Sequence, residues 1–96
     1  MKSYFVYIIT NKKHGTLYIG RSQNINQRIE QHRLGTAGSF SKKYNLKRLV
    51  YLENFNNPED AAVREKRLKK WNREWKIELI ESQNPAWNDL ALQLNQ

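Results

Sequence analysis

The sequence predicts an α+β fold, with elements in the order β-β-α-β-α-α built around one small sheet. Two runs of aromatic and β-branched residues, split by a polar turn, open the chain. A third such run lies mid-chain between two stretches that carry helix-start signals. The remainder is dense in Lys, Arg, Glu and Leu and reads as helix. With 96 residues there is room for one domain, taken as residues 1–82, with 83–96 as a tail packing back on it.

Ser3 to Thr10 (Ser-Tyr-Phe-Val-Tyr-Ile-Ile-Thr) has strand composition. Asn11-Lys12-Lys13-His14-Gly15 is a polar, glycine-ended hairpin loop, and Thr16 to Ser22 returns as an antiparallel partner. That pairing sets Tyr7 and Tyr18 on neighbouring strands, where register decides whether the hydroxyls share a face. Asn24 reads as a helix N-cap with Gln27 in support, Ile25 and Ile29 form the apolar stripe, and Gly35 closes the helix. Arg28 and His32 stack on an adjacent strip, one helical turn apart. Thr36 to Tyr44 reads as a mobile loop and Leu46 to Phe55 as the third strand. Asn57-Pro58-Glu59-Asp60 starts a helix: a capping asparagine, proline in the first turn, and acids at the positive end of the dipole. That helix is expected to reach about Asn72, with another over Glu74 to Ser82 after a kink. Asn84-Pro85-Ala86-Trp87 begins the tail, anchored through Trp87 and Leu90.

Seventeen Lys and Arg against nine Asp and Glu give a net charge of +8, a field that attracts polyanions. Nucleic acid, DNA foremost, is the expected partner. A membrane surface fits less well, because the basic helix carries acids and an asparagine on its less polar side. No segment is apolar for long enough to span a bilayer, and the N-terminus lacks the pattern of a secretory signal. With no cysteine there is no disulfide, thiolate zinc site or thiol nucleophile, and a cytoplasmic location is expected. Two distant histidines, scattered glycines and no nucleophile elbow set aside zinc-hydrolase, Walker-loop and serine-hydrolase chemistry.

From Arg64 to Lys76 seven Lys or Arg stand against two acids, Glu65 and Glu74. On a helical wheel Glu65 lies near Ala61, Leu68 and Asn72, at the edge of the less polar face. A glutamate among cations usually makes an ion pair. A single inward carboxylate also suits a magnesium ion whose other ligands are water and substrate phosphate. Arg28 and His32 suit a scissile phosphate, Arg by charge and His as donor or proton carrier. A tyrosine, with an ordinary pKa of about 10, acts as a base only if a cation or metal lowers it, a task for Arg28 or magnesium. Lys66, Arg67, Lys69, Lys70 and Arg73 are the expected nucleic-acid-binding set. Trp71, Trp75 and Trp87 are assigned to packing rather than base stacking, and His14 to the surface.

Phe5-Val6-Tyr7 and Tyr18-Ile19-Gly20, with ten residues between the tyrosines, are followed by Ser22, Asn24, Arg28, His32 and Glu65. This series resembles the GIY-YIG endonucleases over roughly residues 3 to 80, and the tail resembles their small stand-alone bacterial, UPF0213-like branch. The resemblance implies a three-stranded antiparallel sheet flanked by helices and a one-metal hydrolysis of phosphodiesters. It implies that Glu65 binds Mg2+ or Mn2+, that Arg28 and His32 hold the phosphate, and that Tyr7 or Tyr18 deprotonates or orients the attacking water. Phe5 and Val6 replace the glycine and isoleucine of the first motif. Many members use a further asparagine near the metal, for which Asn72 and Asn84 are the candidates.

The expected function is therefore a divalent-metal-dependent endonuclease acting on DNA, in repair or recombination on branched or single-stranded substrates. The alternative is a nucleic-acid-binding module of the same fold with little turnover. A third reading is an adaptor that binds a protein through its tryptophan-bearing C-terminal half. A protein partner could also supply substrate specificity to the nuclease. On the leading reading, Tyr7, Tyr18, Arg28, His32 and Glu65 meet in one concave site.

Overall fold

The computed structural model describes residues 3–94. Strand β1 (Tyr4–Thr10) is central, with β2 (Leu17–Ser22) on one side and β3 (Arg48–Phe55) on the other, both antiparallel to it. Helix α1 (Ile25–Leu34) follows β2; α3 (Pro58–Lys70) and α4 (Arg73–Gln83) follow β3. This is the expected order, with two short helices added: α2 (Ser39–Lys43) and α5 (Ala91–Leu94).

Helix α2 lies in the segment read from sequence as a mobile loop. Gly38 offers no side-chain cap, so no local signal announces the helix. Its anchor is tertiary: Ser41 is buried in an otherwise exposed turn. The other helix ends follow their caps. The side chains of Asn24 and Asn57 accept from the amides of Gln27 at 3.1 Å and Asp60 at 2.8 Å. Gly35 closes α1 at φ 76°, a left-handed conformation that glycine adopts without a Cβ penalty. The break between α3 and α4 has the same logic. Asn72 is extended and its side chain accepts from the Trp75 amide at 2.9 Å, so it caps a new helix instead of continuing the old one.

Alternation along the strands divides the core into two layers. Val6, Ile8, Ile19, Val50 and Tyr51 face Ala61, Leu68, Ile80 and Trp87, the layer of α3, α4 and the tail. Tyr7 and Ile9 face the other way, toward Ile25 and Ile29 of α1 with Leu46, Leu49 and Ala91. An irregularity in the β1–β3 register, where Ile8 opposes Tyr51 and Ile9 opposes Leu49, leaves Val50 unmatched and sends Val50 and Tyr51 into the same layer.

The tail completes the fold. Trp87 is fully buried, and its indole N–H donates to Glu81 at 2.8 Å. The outer edge of β3 is covered by residues 83–90. The Gln83 amide both accepts from the Leu52 N–H and donates to the Leu52 carbonyl, as a strand would. Asn84 donates to the Val50 carbonyl, the Leu90 amide donates to the Leu49 carbonyl, and Asp89 accepts from the Leu49 amide. No helix among the described residues is long and apolar enough to cross a membrane.

Candidate active site

Tyr7 lies opposite Gly20 and Tyr18 opposite Ile9, so the two tyrosines sit diagonally on one face with ring centroids 6.4 Å apart. Glycine at position 20 is a steric requirement. A Cβ there would stand 2.9 Å from Cε1 of Tyr7 and closer still to its hydroxyl. The third residue of Tyr18-Ile19-Gly20 thus clears the space in which the Tyr7 ring lies.

His32, one turn beyond Arg28, enters the same layer and is 2% exposed. Its Nε2 is 3.1 Å from the Tyr7 hydroxyl and its Nδ1 is 2.7 Å from Oγ of Ser41. The rings of Tyr7 and Tyr18 both meet it edge-on, at 5.7 Å. Burial, with the Arg28 charge in support, lowers the imidazole pKa to about 4, so His32 is neutral at pH 7. His32, expected to hold the phosphate, has both ring nitrogens within hydrogen-bond distance of groups inside the protein. Arg28, only partly buried, is the cation left for that task.

The expected activation of tyrosine is also absent from the protein's own charges. Burial first, then Tyr18, push the Tyr7 phenol well above its ordinary range; Arg28 opposes this and Glu65 adds to it. Tyr7 holds its proton at neutral pH.

Glu65 is placed differently from the expected single concavity. It belongs to α3, which covers the sheet face opposite Tyr7 and Tyr18. Its carboxylate pairs with Arg21 of β2 at 3.5 Å and with Lys69, one turn on, at 3.3 Å. The connection to the tyrosines runs around the β2 edge. Leu17, Tyr18 and Ile19 share an open depression with Phe40, Lys69 and Lys76, while Arg21 and Arg28 line a second one with Tyr4, Ser22 and Gln23. Tyr7, Tyr18 and His32 thus pack together and Arg28 is near enough to act on both Tyr7 and His32. Glu65 stands across the edge strand, where its charge still reaches Tyr7.

No group of three His, Cys, Asp or Glu is assembled among the described residues. Glu65 itself offers one carboxylate, with a side chain 18% exposed. A single carboxylate completed by water and phosphate fits magnesium, which keeps much of its hydration. The Lys69 side chain is 53% exposed and can move aside for a cation.

Neither candidate asparagine joins the site. Asn72 caps α4, and the Asn84 side chain is bonded to Val50 and Asn88 in the tail. Lys66, Arg67, Lys69 and Lys70 are exposed on α3. Arg73 instead donates to the carbonyls of His14 and Gly15, pinning the hairpin loop to α4. His14 is less idle than its surface assignment, since it lies 3.1 Å from Glu81 and edge-on to Trp87. Trp71 meets Trp75 edge-on, and Trp75 is 54% exposed. Sequence reasoning missed Arg21 and Ser41. Arg21 directly follows the second motif and could have been flagged as a partner for Glu65, whereas Ser41 sat in a presumed loop and gave no signal.

Over residues 3–78 the chain matches the GIY-YIG catalytic domain. It belongs to the GIY-YIG family. The UPF0213 protein of Staphylococcus aureus strain Mu3 is 35% identical over 80 residues, covering 83% of this chain and 96% of the relative. Its counterpart in strain N315 matches to the same extent. Among solved structures, the solution NMR structure of the UPF0213 protein BH0048 from Bacillus halodurans superposes with a TM-score of 0.58 at 25% identity, covering 91% of this chain and 92% of that one. The GIY-YIG assignment carries an endonuclease superfamily, a nucleic-acid substrate and a general dependence on divalent metal.

The buried histidine of this GIY-YIG fold makes stability depend on pH. With its folded pKa near 4 and an ordinary unfolded value, His32 takes up a proton more readily in the unfolded chain. Its contribution is fully present above about pH 6.5 and is lost as pH falls toward 4, reaching roughly 2 kcal/mol by pH 5. Urea unfolding at pH 7.5 and 5 should show this loss in the wild type and much less of it in His32→Gln.

Proposed function

We propose that this chain is a divalent-metal-dependent endonuclease that hydrolyses DNA phosphodiester bonds, with branched or single-stranded DNA in repair or recombination as its setting. The observation that carries this reading is the hydrogen bond between the Tyr7 hydroxyl and the neutral His32, beside Tyr18 and Arg28, in a GIY-YIG domain. Arg28 holds the scissile phosphate by charge-assisted hydrogen bonds. Tyr7, buried against His32, orients the attacking water once substrate is bound and gives its proton a route to His32. Tyr18, in contact with His32 and at the open depression, is positioned to touch the substrate. Glu65 would hold Mg2+ or Mn2+, which when bound supplies positive charge against that developing on the phosphate. Lys66, Arg67, Lys69 and Lys70 draw in the polyanion.

A second reading has its own support. The unactivated Tyr7 and the pairing of both Glu65 oxygens with Arg21 and Lys69 suit a nucleic-acid-binding module with little turnover. The deciding experiment is incubation with duplex, single-stranded and branched DNA, and with RNA, with and without Mg2+ or Mn2+. Metal-dependent cleavage of DNA supports the nuclease. Binding to the same panel without cleavage under either metal selects the module instead.

Either reading requires electrostatic binding. Affinity for duplex DNA should fall with salt, with about 0.9 in the log–log slope for each phosphate neutralised. Titrations between 50 and 200 mM salt check this, and reversing the charge of Lys66 and Lys70 together should lower the slope by about two such contacts. An affinity indifferent to salt would favour a protein partner.

A further inference from the structure

Ser41 lies in α2, on no part of the motif series, and yet is 3% exposed with its hydroxyl at the end of a buried chain of polar groups. The chain runs from the Leu46 carbonyl, 3.3 Å from Ser41 Oγ, through His32 to the Tyr7 hydroxyl. Its direction follows from counting protons. The Leu46 carbonyl is a buried acceptor whose recorded partner among the described residues is Ser41, so the serine proton goes there. Ser41 Oγ is then left as an acceptor, and Nδ1 of His32 must carry a hydrogen to donate to it. A neutral imidazole so protonated has a bare Nε2, which accepts the Tyr7 O–H. The opposite arrangement, with the serine proton turned to Nδ1, would strand the Leu46 carbonyl and aim the Nε2 hydrogen at Tyr7.

We propose that Ser41 is a positioning residue that fixes His32 in the Nδ1–H tautomer, so that His32 receives the Tyr7 proton as Tyr7 takes one from the attacking water. The step balances. Water loses a proton to the Tyr7 oxygen, the Tyr7 O–H bond breaks as Nε2–H forms, and the resulting hydroxide forms a new P–O bond as the P–O bond to the leaving group breaks, the departing alkoxide taking a proton from solvent water. His32 ends as an imidazolium whose Nδ1–H remains bonded to Ser41, a state that burial and Arg28 oppose and that the anionic phosphate on Arg28 offsets while substrate is bound. Tyr7 is never a free phenolate, which reconciles a proton-moving role with its raised pKa. The role rests on the nuclease reading, whereas the tautomer does not.

The test separates the two. Nitrogen-15 NMR of the histidine side chains reads tautomers directly, and with only two histidines in the chain His14→Ala assigns the spectrum. The wild type should show His32 with hydrogen on Nδ1 at pH 7. Hydrogen on Nε2 overturns the proposal whatever the activity. Ser41→Ala should convert part or all of His32 to the Nε2–H form and slow cleavage by about tenfold to a hundredfold, as when an outer partner orienting a histidine is removed. Ser41→Thr, which keeps the hydroxyl, should restore both tautomer and rate. A slow Ser41→Ala with an unchanged tautomer, or a Ser41→Thr as impaired as Ser41→Ala, would reduce Ser41 to packing. If the wild type cuts nothing, the relay falls with the nuclease reading, and the wild-type spectrum alone decides the tautomer.

Discussion

Replacing Glu65 with alanine is expected to lower metal-dependent cleavage by a hundredfold or more while leaving DNA binding unchanged or slightly tighter. On the nuclease reading the loss follows from removing the carboxylate proposed to hold the cation, and electrostatic stabilisation of this kind commonly contributes on the order of a hundredfold or more in rate. Binding survives because the substitution deletes a negative charge from a basic region. Folding survives as well. The pairs with Arg21 and Lys69 involve side chains 44% and 53% exposed, and such pairs contribute at most about 1 kcal/mol. Arg28→Ala behaves differently, weakening binding and turnover together, since its charge serves the bound ground state too. Single-turnover cleavage and a binding isotherm on the same DNA separate the two variants. Full cleavage by Glu65→Ala would remove Glu65 from the mechanism.

The largest effect on stability is expected at Trp87. Its ring is fully buried, its indole N–H donates to Glu81, His14 lies edge-on to it at 5.1 Å, and Arg48 donates to its carbonyl. Trp87→Ala removes the ring and leaves a cavity between the sheet and α4, for a loss of about 3–5 kcal/mol. Domains of this size are stable by roughly 5–15 kcal/mol, so the variant should melt far lower, by about 4–8 °C for each kcal/mol lost. Thermal and urea unfolding measure the drop. A loss under about 1 kcal/mol would mean that the tail contributes little to the core.

Much of this architecture is written in local residue patterns. Asn24, Asn57 and Gly35 predict helix ends because a cap is a contact between near neighbours in sequence. The aromatic and β-branched runs predict three strands for a similar reason, and Tyr7, Tyr18, Arg28 and His32 are legible through spacing. What sequence could not supply is long-range. The layer occupied by Glu65 depends on which sheet face α3 covers, and His32 is committed to Tyr7 and Ser41 by contacts 25 and 9 residues apart. Helix α2 has no cap signal because its stabilising partner, His32, belongs to another element. A kink after about Asn72 is legible, but the capping role of Asn72 is not, because only packing decides whether its side chain caps α4 or enters the site.

The coverage of β3 by Gln83, Asn84, Asp89 and Leu90 bears on how this protein behaves among its own copies. A bare outer strand offers a row of amides and carbonyls to any other extended chain, the usual route to stacked aggregates. Here those groups on Leu49, Val50 and Leu52 are already taken. A chain ending at residue 82 would lose more than an appendage. It would free that row beside apolar Leu49, Val50 and Leu52, and turn one flank of the sheet into a template for its neighbours. Residues 83–90 thus act as a built-in guard on solubility, closing the sheet on the flank away from β2.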